Sequence, residues 1–382
     1  MAVSHLVEEE QALIEAIREL AQERVKPRAA EIDRTGEFPW DMKALLAQQD
    51  ILAMPFPSEY GGLGASELAV AMAIEELSRA CATTGLILAV QQLGAMPILL
   101  GGNEEQKRKY IPPLASGEWL SAFALTEAGS GSDAAAMRTF AVRKGDKYIL
   151  NGSKRFITNG GLAQVNSVMA ITDPSKGSRG ISAFIVEKDY PGFSVGRIEE
   201  KMGIKGSQTA ELIFTDCEVP AENLLGREGD GFKLAMMTLD RTRTGIGAQA
   251  VGIAQGALDL AVEYAKQRVQ FDQPIANFQG IQFMLADMAT KVEASRLLVY
   301  NAAEMMDRGE PNFGKYSSMA KLFASDSAME VTSDAIQILG GYGYIKEYPA
   351  ERMLRDAKIT QIYEGTNQIQ RLVIARALLS GL

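Results

Sequence analysis

At 382 residues with a formal charge of −9, the chain is too long for one hydrophobic core and too acidic to hold nucleic acid or an anionic membrane by bulk charge. Its only cysteines are Cys81 and Cys217 and its only histidine is His5. That excludes a disulfide framework, a Cys/His metal site and any histidine-based triad, so proton chemistry must fall to carboxylates, tyrosine, lysine or a cofactor.

Across residues 1–118 the periodicity is helical. Leu13, Ile17, Leu20 and Ala21 share one stripe, Leu68, Met72, Glu75 and Glu76 belong to a helix with a mixed face, and 82–100 is a nearly apolar segment that must be buried. Pro27, Pro39, Pro55, Pro57 and Pro97 punctuate this region, mostly between helices. The longest apolar run is too short for a bilayer span, and the first residues show neither a secretory nor a transit pattern. A cytoplasmic chain without membrane insertion is expected.

Residues 119–228 change texture. Short β-type runs at 119–125, 139–143, 147–150, 165–172, 181–187 and 210–215 are divided by turn signals at Asn151-Gly152, Asp173-Pro174 and Pro191-Gly192. Strands this close, without helices between them, predict an antiparallel sandwich or barrel and not βαβ units. From 229 to 382 proline falls only at 274, 311 and 349, between helical runs at 232–268, 278–308 and 316–339, which predicts a helical bundle. The fold class is α+β and multidomain: N-terminal α-helical, middle antiparallel β, C-terminal bundle.

Several segments have both a chemical and a structural meaning. Leu125-Thr-Glu-Ala-Gly-Ser-Gly-Ser-Asp133 follows a strand; its glycines, hydroxyls and amides suit a phosphate or an amide-rich ring, and equally an ordinary turn. Phe156-Ile-Thr-Asn-Gly-Gly161 offers a ring to stack and a hydroxyl to bond beside it, or a strand entering an Asn-Gly turn. Asp240 and Arg243 share a helix face, as an i,i+3 pair or as a nucleotide contact. Arg268-Val-Gln-Phe271, Gln279 and Gln337-Ile-Leu-Gly-Gly341 mark helix ends.

Gln361-Ile-Tyr-Glu-Gly-Thr-Asn-Gln-Ile-Gln370 joins a helix-like segment at 351–359 to a last helix, with Thr366 as N-cap and Ile369, Leu372, Val373 and Ala377 on one stripe. Glu364 on that joint is held yet points off the helices, as a general base requires.

Taken together and in order, LTEAGSGSD, FITNGG, KMGIKGSQT, LDRTR, RVQF, QILGGYG and RDAKITQIYEGTNQIQ resemble the acyl-CoA dehydrogenases from end to end, in particular their short- and medium-chain, butyryl-CoA dehydrogenase-like members. The resemblance implies a C-terminal four-helix bundle, non-covalent FAD between β domain and bundle, and a homotetramer. It also implies α,β-dehydrogenation of an acyl-CoA to a trans-2-enoyl-CoA, with electrons passed to electron-transferring flavoprotein. Glu364 is implied as the α-proton base, with a hydride leaving Cβ for flavin N5. Phe123, Leu125, Thr126, Gly131 and Ser132 are implied to line the flavin and the adjoining CoA chain, and Phe156 and Thr158 to flank its ring. Arg268, Phe271, Gln279, Gln337, Gly341, Thr366 and Gln368 are implied to hold the adenosine-diphosphate half, partly from a neighbouring subunit. Ser132, Leu239, Asp240, Arg243, Tyr363 and Gly365 are the implied substrate residues, with Asp240 and Arg243 at the adenosine end of CoA. Thr242 stands where isovaleryl-type relatives carry their base, and no arginine near Gly85 answers to the one glutaryl-type relatives use. Other readings are a branched or cyclic acyl-CoA specialist, an acyl-CoA oxidase, and a non-catalytic flavoprotein scaffold, which the intact Glu364 disfavours.

Overall fold

The first apolar stripe closes a helical layer. In the computed structural model, which describes residues 6–380 and so leaves His5 outside, α1 (Glu8–Leu20) buries Ile14 and Ile17, with Leu13 and Leu20 half-buried at its margin. Then follow α2 (Ala29–Thr35), α3 (Trp40–Gln48), α4 (Glu67–Ala80), α5 (Ala82–Gly101) and α6 (Glu104–Ala115). Ser66 caps α4, and Asn103 with Gln106 forms a capping box on α6. Pro97, one of the prolines read as falling mostly between helices, lies inside α5; burial of the whole helix outweighs the one lost backbone hydrogen bond. The expectation about membrane length also needs correcting. Both α5 and α7 (Gly231–Gln267) are long and apolar enough to cross a bilayer, but 83% and 72% of their apolar windows is buried in the protein. They are core helices, covered by their neighbours.

The middle segment contributes β1 (Ser121–Ala124), β2 (Phe140–Lys144), β3 (Lys147–Thr158), β4 (Val165–Ile171), β5 (Ile181–Glu187), β6 (Phe193–Ile198), β7 (Thr209–Pro220) and β8 (Leu224–Leu225). They form one sheet in the order β6-β7-β3-β2-β4-β5-β8, with β1 also on β4. Most pairs are antiparallel, as expected, but β1 and the end of β2 run parallel to β4, so the sheet is mixed. Alternation along β5 shows how it is covered. Ile181, Ala183 and Ile185 pack with α5 and α6 residues, while Phe184 and Val186 meet Tyr148, Leu212 and Phe214 from β3 and β7. The sheet therefore curls over a core of its own. Asn151-Gly152, read as a turn, lies within β3: the ladder slips there, and Gly152, with φ of 140°, passes so close to Thr139 that a Cβ would come within 2.7 Å of its Cα.

After α7 come the ribbon β9 (Val269–Gln270) and β10 (Gln273–Pro274), α8 (Gln279–Asp307), α9 (Phe313–Leu339), α10 (Gly341–Tyr344), α11 (Ala350–Thr360) and α12 (Asn367–Leu379). The first helical layer is bolted to this bundle by buried charge. Glu75 accepts from Arg296 Nε and from the Tyr300 hydroxyl of α8, both at 2.9 Å, while within the layer Glu76 of α4 accepts from Arg18 of α1 at 2.8 Å. On α12 the expected apolar stripe is displaced. Leu372 is 50% exposed, and the buried positions are the polar Asn367 and Gln370, because this face meets hydrogen-bonding groups and not an apolar core.

Candidate active site

Glu364 has φ of 52° and Gly365 of 93°. Left-handed backbone is natural for the glycine and costly for the glutamate, so the joint must be held from outside. Three side chains do this. Arg243 Nε donates to the Glu364 carbonyl at 3.3 Å. Gln370 Nε2 donates to the same carbonyl at 3.3 Å and to that of Gly365 at 2.8 Å. Lys321 Nζ donates to the Gly365 carbonyl at 2.8 Å. Thr366 caps α12 as expected, accepting from the Ile369 N–H.

The Glu364 carboxylate accepts a 2.6 Å hydrogen bond from Thr242 Oγ1, so the two positions singled out as alternative homes for a base converge on one spot. Burial pushes the Glu364 pKa up to about 7, against the Thr242 hydrogen bond and the charges of Arg243 and Lys321. The residue still keeps a partial opening to solvent, through which a ligand can reach it. Beside it, the Tyr363 hydroxyl donates to Gln249, whose amide donates to the Ala82 carbonyl at 3.1 Å. Arg243 is 3% exposed and is committed to Glu364, to Asp240 at 2.6 Å and to Ser318. Asp240 is more open, and Leu239 is buried against the α5–α6 layer.

A second group forms on the sheet. Lys154 Nζ, fully buried, donates to Glu127 Oε1 at 2.8 Å and to the Leu125 carbonyl at 3.1 Å. Glu127 also accepts the N–H groups of Arg138 and Thr139, while the Thr126 carbonyl accepts from the Arg155 N–H. The Leu125–Asp133 loop is thereby clamped to β3. Ser132 is exposed, and a Cβ at Gly129 or Gly131 would meet nothing within 4 Å. Between Lys154 and Ile157 the β3–β7 ladder slips, and Phe156, with φ of 58°, is turned outward and is 59% exposed. The bulge explains how a lysine at 0% exposure and a bare aromatic ring sit two residues apart. Thr158, half-buried, ends the same strand, and Phe123, also half-buried, lies on β1.

A third group surrounds a cavity of about 460 Å³ lined by Arg268, Gln270, Gly340, Gly341 and Tyr342 among others. The Arg268 guanidinium stands 5.5 Å from the centre of the Tyr342 ring. Gln337 lies one residue from the lining, whereas Phe271, Gln279, Thr366 and Gln368 do not line it; all of these but Thr366 are exposed on the single chain. Phe271, 88% exposed at φ of 51°, meets the Phe278 ring edge-on, with centroids 6.0 Å apart.

Residue types and spacing alone did not point to Lys321, Gln249, Gln370, Lys154 or Glu127. Each acts through contacts between segments distant in the chain, and only a buried lysine's need for an acceptor could have drawn the eye.

The whole chain is similar to known proteins. The models described as acyl-CoA dehydrogenase N-terminal, middle and C-terminal domains match residues 7–118, 122–217 and 229–379. The chain is 55% identical over 378 residues to an acyl-CoA dehydrogenase of Bacillus subtilis, covering 99% of this chain and 100% of that one. It is 52% identical to the cyclohex-1-ene-1-carbonyl-CoA dehydrogenase of Geobacter metallireducens, covering 99% and 100%. Butyryl-CoA dehydrogenase from Megasphaera elsdenii superposes with a TM-score of 0.95 at 48% identity, covering 98% of this chain and 99% of that one.

Proposed function

The chain belongs to the acyl-CoA dehydrogenase family of flavin-dependent oxidoreductases, and from that premise we propose that it converts a short- or medium-chain acyl-CoA to the trans-2-enoyl-CoA with Glu364 as base. The observation that carries this reading is the Glu364 carboxylate itself, held in left-handed backbone, fixed by Thr242 and pushed up to about 7. A carboxylate so placed is matched to proton transfer near neutral pH.

Members of this family are FAD flavoproteins, and the residues present fit that group. An outward ring at Phe156, open space at Gly129 and Gly131, and a guanidinium over an aromatic cavity at Arg268 suit a flat ring, a pyrophosphate and a nucleoside end. FAD, when bound, supplies the hydride acceptor. The chain supplies position and field. Glu364 takes the α-proton, Thr242 fixes the rotamer of its carboxylate, and the Glu364 backbone N–H is the proposed donor to the thioester carbonyl, without which an α-proton is too weakly acidic for any carboxylate. Electron-transferring flavoprotein as acceptor and a homotetramer completing the adenosine-diphosphate site belong to the same proposal.

The test is anaerobic titration of the yellow holoenzyme with saturated acyl-CoAs of graded length, following flavin bleaching, beside Glu364→Gln. Bleaching by one chain-length class, lost in the variant while ligand still binds, supports the reading; a variant reducing at the native rate removes Glu364 from the role. Relatedness to the Geobacter enzyme favours a second reading, a cyclic acyl-CoA substrate. A cyclohexene- or cyclohexane-carbonyl-CoA that bleaches the flavin faster than every linear thioester would select it.

A further inference from the structure

We propose that Lys321 is the positioning residue for Glu364: from α9 it grips the Gly365 carbonyl and the Asn367 side chain and so holds the joint in the conformation that aims the base. This rests on the reading of Glu364 as base. Lys321 is fully buried, and both hydrogen-bond acceptors of its ammonium, Gly365 O and Asn367 Oδ1 at 2.8 Å each, are neutral. A lysine kept dry without a bonded carboxylate is expensive, and here its position serves the joint. One turn further along α9, Ser325 accepts from Asn367 Nδ2 at 2.8 Å, and Asp326 accepts from the same nitrogen at 2.7 Å and from Gln361 Nε2 at 2.6 Å. One face of α9 thus fixes the residues before, within and after the left-handed pair Glu364–Gly365. Arg243 holds the preceding carbonyl from α7, so the peptide on each side of Gly365 is pinned by a cation from a different helix.

The charge adds to the grip. Lys321 is among the groups that stabilise the Glu364 carboxylate. The other charged and titratable groups facing the pair are Arg243 and Asp240 on α7, Asp326 on α9, Arg371 on α12 (bound to Asp326) and Tyr363 on the joint. Burial pulls Lys321 itself down to about 7, so its charge favours the Glu364 carboxylate on the acid side of that value, and removing it should move the acid limb of activity to higher pH.

The experiment uses purified holoenzyme with butyryl-CoA, or whichever thioester bleaches it best, and reads kcat, KM and the pH profile of kcat for Lys321→Met, Lys321→Gln, Lys321→Arg and Glu364→Gln, with FAD content checked for each. Lys321→Met is expected to lose about 100-fold in kcat with KM changed by less than about threefold. Its acid limb should rise by about one pH unit. Lys321→Gln keeps a donor for Gly365 without the charge and should show the same displaced limb, and Lys321→Arg should restore the limb with part of the rate. An unmoved limb and native kcat in whichever of the Met and Gln variants folds with FAD bound would overturn the proposal. Glu364→Gln separates the two assignments. If it turns over at the native rate, the base is wrong whatever Lys321 does; if it is dead while Lys321→Met has a native profile, only the role of Lys321 fails.

Discussion

A glutamate held at φ of 52° with its pKa pushed up to about 7 works against the folded state, and the sign of that cost can be followed with pH. Below the unfolded value of 4.5 the carboxyl is protonated in both states and costs nothing as a charge. Between there and about 7 the native state binds the proton more tightly, so stability falls as pH rises. Glu364→Gln removes the titration and keeps the shape. It is expected to melt with the native protein at pH 4 and to be more stable by up to about 3 kcal/mol above pH 7; thermal unfolding with FAD bound, at several pH values, checks it, and a gap independent of pH counts against the burial of this carboxylate. The clamp under the Leu125–Asp133 loop has the opposite character. Burial alone would raise Glu127, but the Lys154 charge overcomes it and holds the carboxylate below its usual range. Burial brings Lys154 down to about 8, with Glu127 opposing. Lys154→Met strands a buried carboxylate at a cost of about 3 kcal/mol and frees the Leu125–Asp133 loop, so FAD should be released more readily on dilution, read as the recovery of free-flavin fluorescence.

At the scale of elements, helix against helix decides what the bundle tolerates. A Cβ at Gly252 on α7 would come 2.3 Å from the Glu75 carbonyl on α4, and one at Gly256 2.6 Å from that of Arg79. The two helices touch backbone to backbone at the turn that carries Glu75 to Arg296 and Tyr300. Gly252→Val must push them apart, at about 2–3 kcal/mol from overpacking with a further loss from the strained ion pair. A lowered melting temperature with the helical circular dichroism retained is the expected record. Elements such as these were largely legible in the sequence, since long helices between prolines and β-rich runs between turns announce themselves through periodicity. What escaped has physical reasons. The strand Phe193–Ile198 is largely exposed, so no alternation of apolar and polar residues marks it. Pro97 and Asn151-Gly152 carry local breaking signals that buried packing and a bulge override. The site was legible only in part: Glu364, Thr366 and the glycine loops lie in local motifs, whereas Lys321 and Lys154 are ordinary helix and strand lysines until the fold gives them acceptors.

Across the whole molecule one arginine gathers three regions. Arg355 on α11 bonds Asp33 of α2 through both terminal nitrogens at 2.8 and 2.7 Å, Glu351 on its own helix at 2.6 and 2.8 Å, and the Met202 carbonyl, in the loop between β6 and β7, at 3.1 Å. That loop lies against α11 so closely that a Cβ at Gly203 would stand 2.4 Å from the Arg355 carbonyl, and α11 leads directly into the joint that carries Glu364. Register between sheet, first helical layer and Glu364 therefore passes through this contact. Burial would raise Asp33, but the Arg355 hydrogen bonds and charge overcome it and hold the carboxylate low. The contribution is present above the unfolded value of 3.8 and is lost as pH falls through the depressed native value. Arg355→Met should cost about 2 kcal/mol at pH 7, with part of that penalty disappearing once Asp33 is protonated in both states. Urea midpoints at pH 7 and near pH 3 test the sign. Hydrogen exchange tests the coupling: the Met202–Gln208 amides and those around Glu364 should lose protection together in the variant. Loss confined to the first segment would mean that Glu364 takes its place from α9 alone.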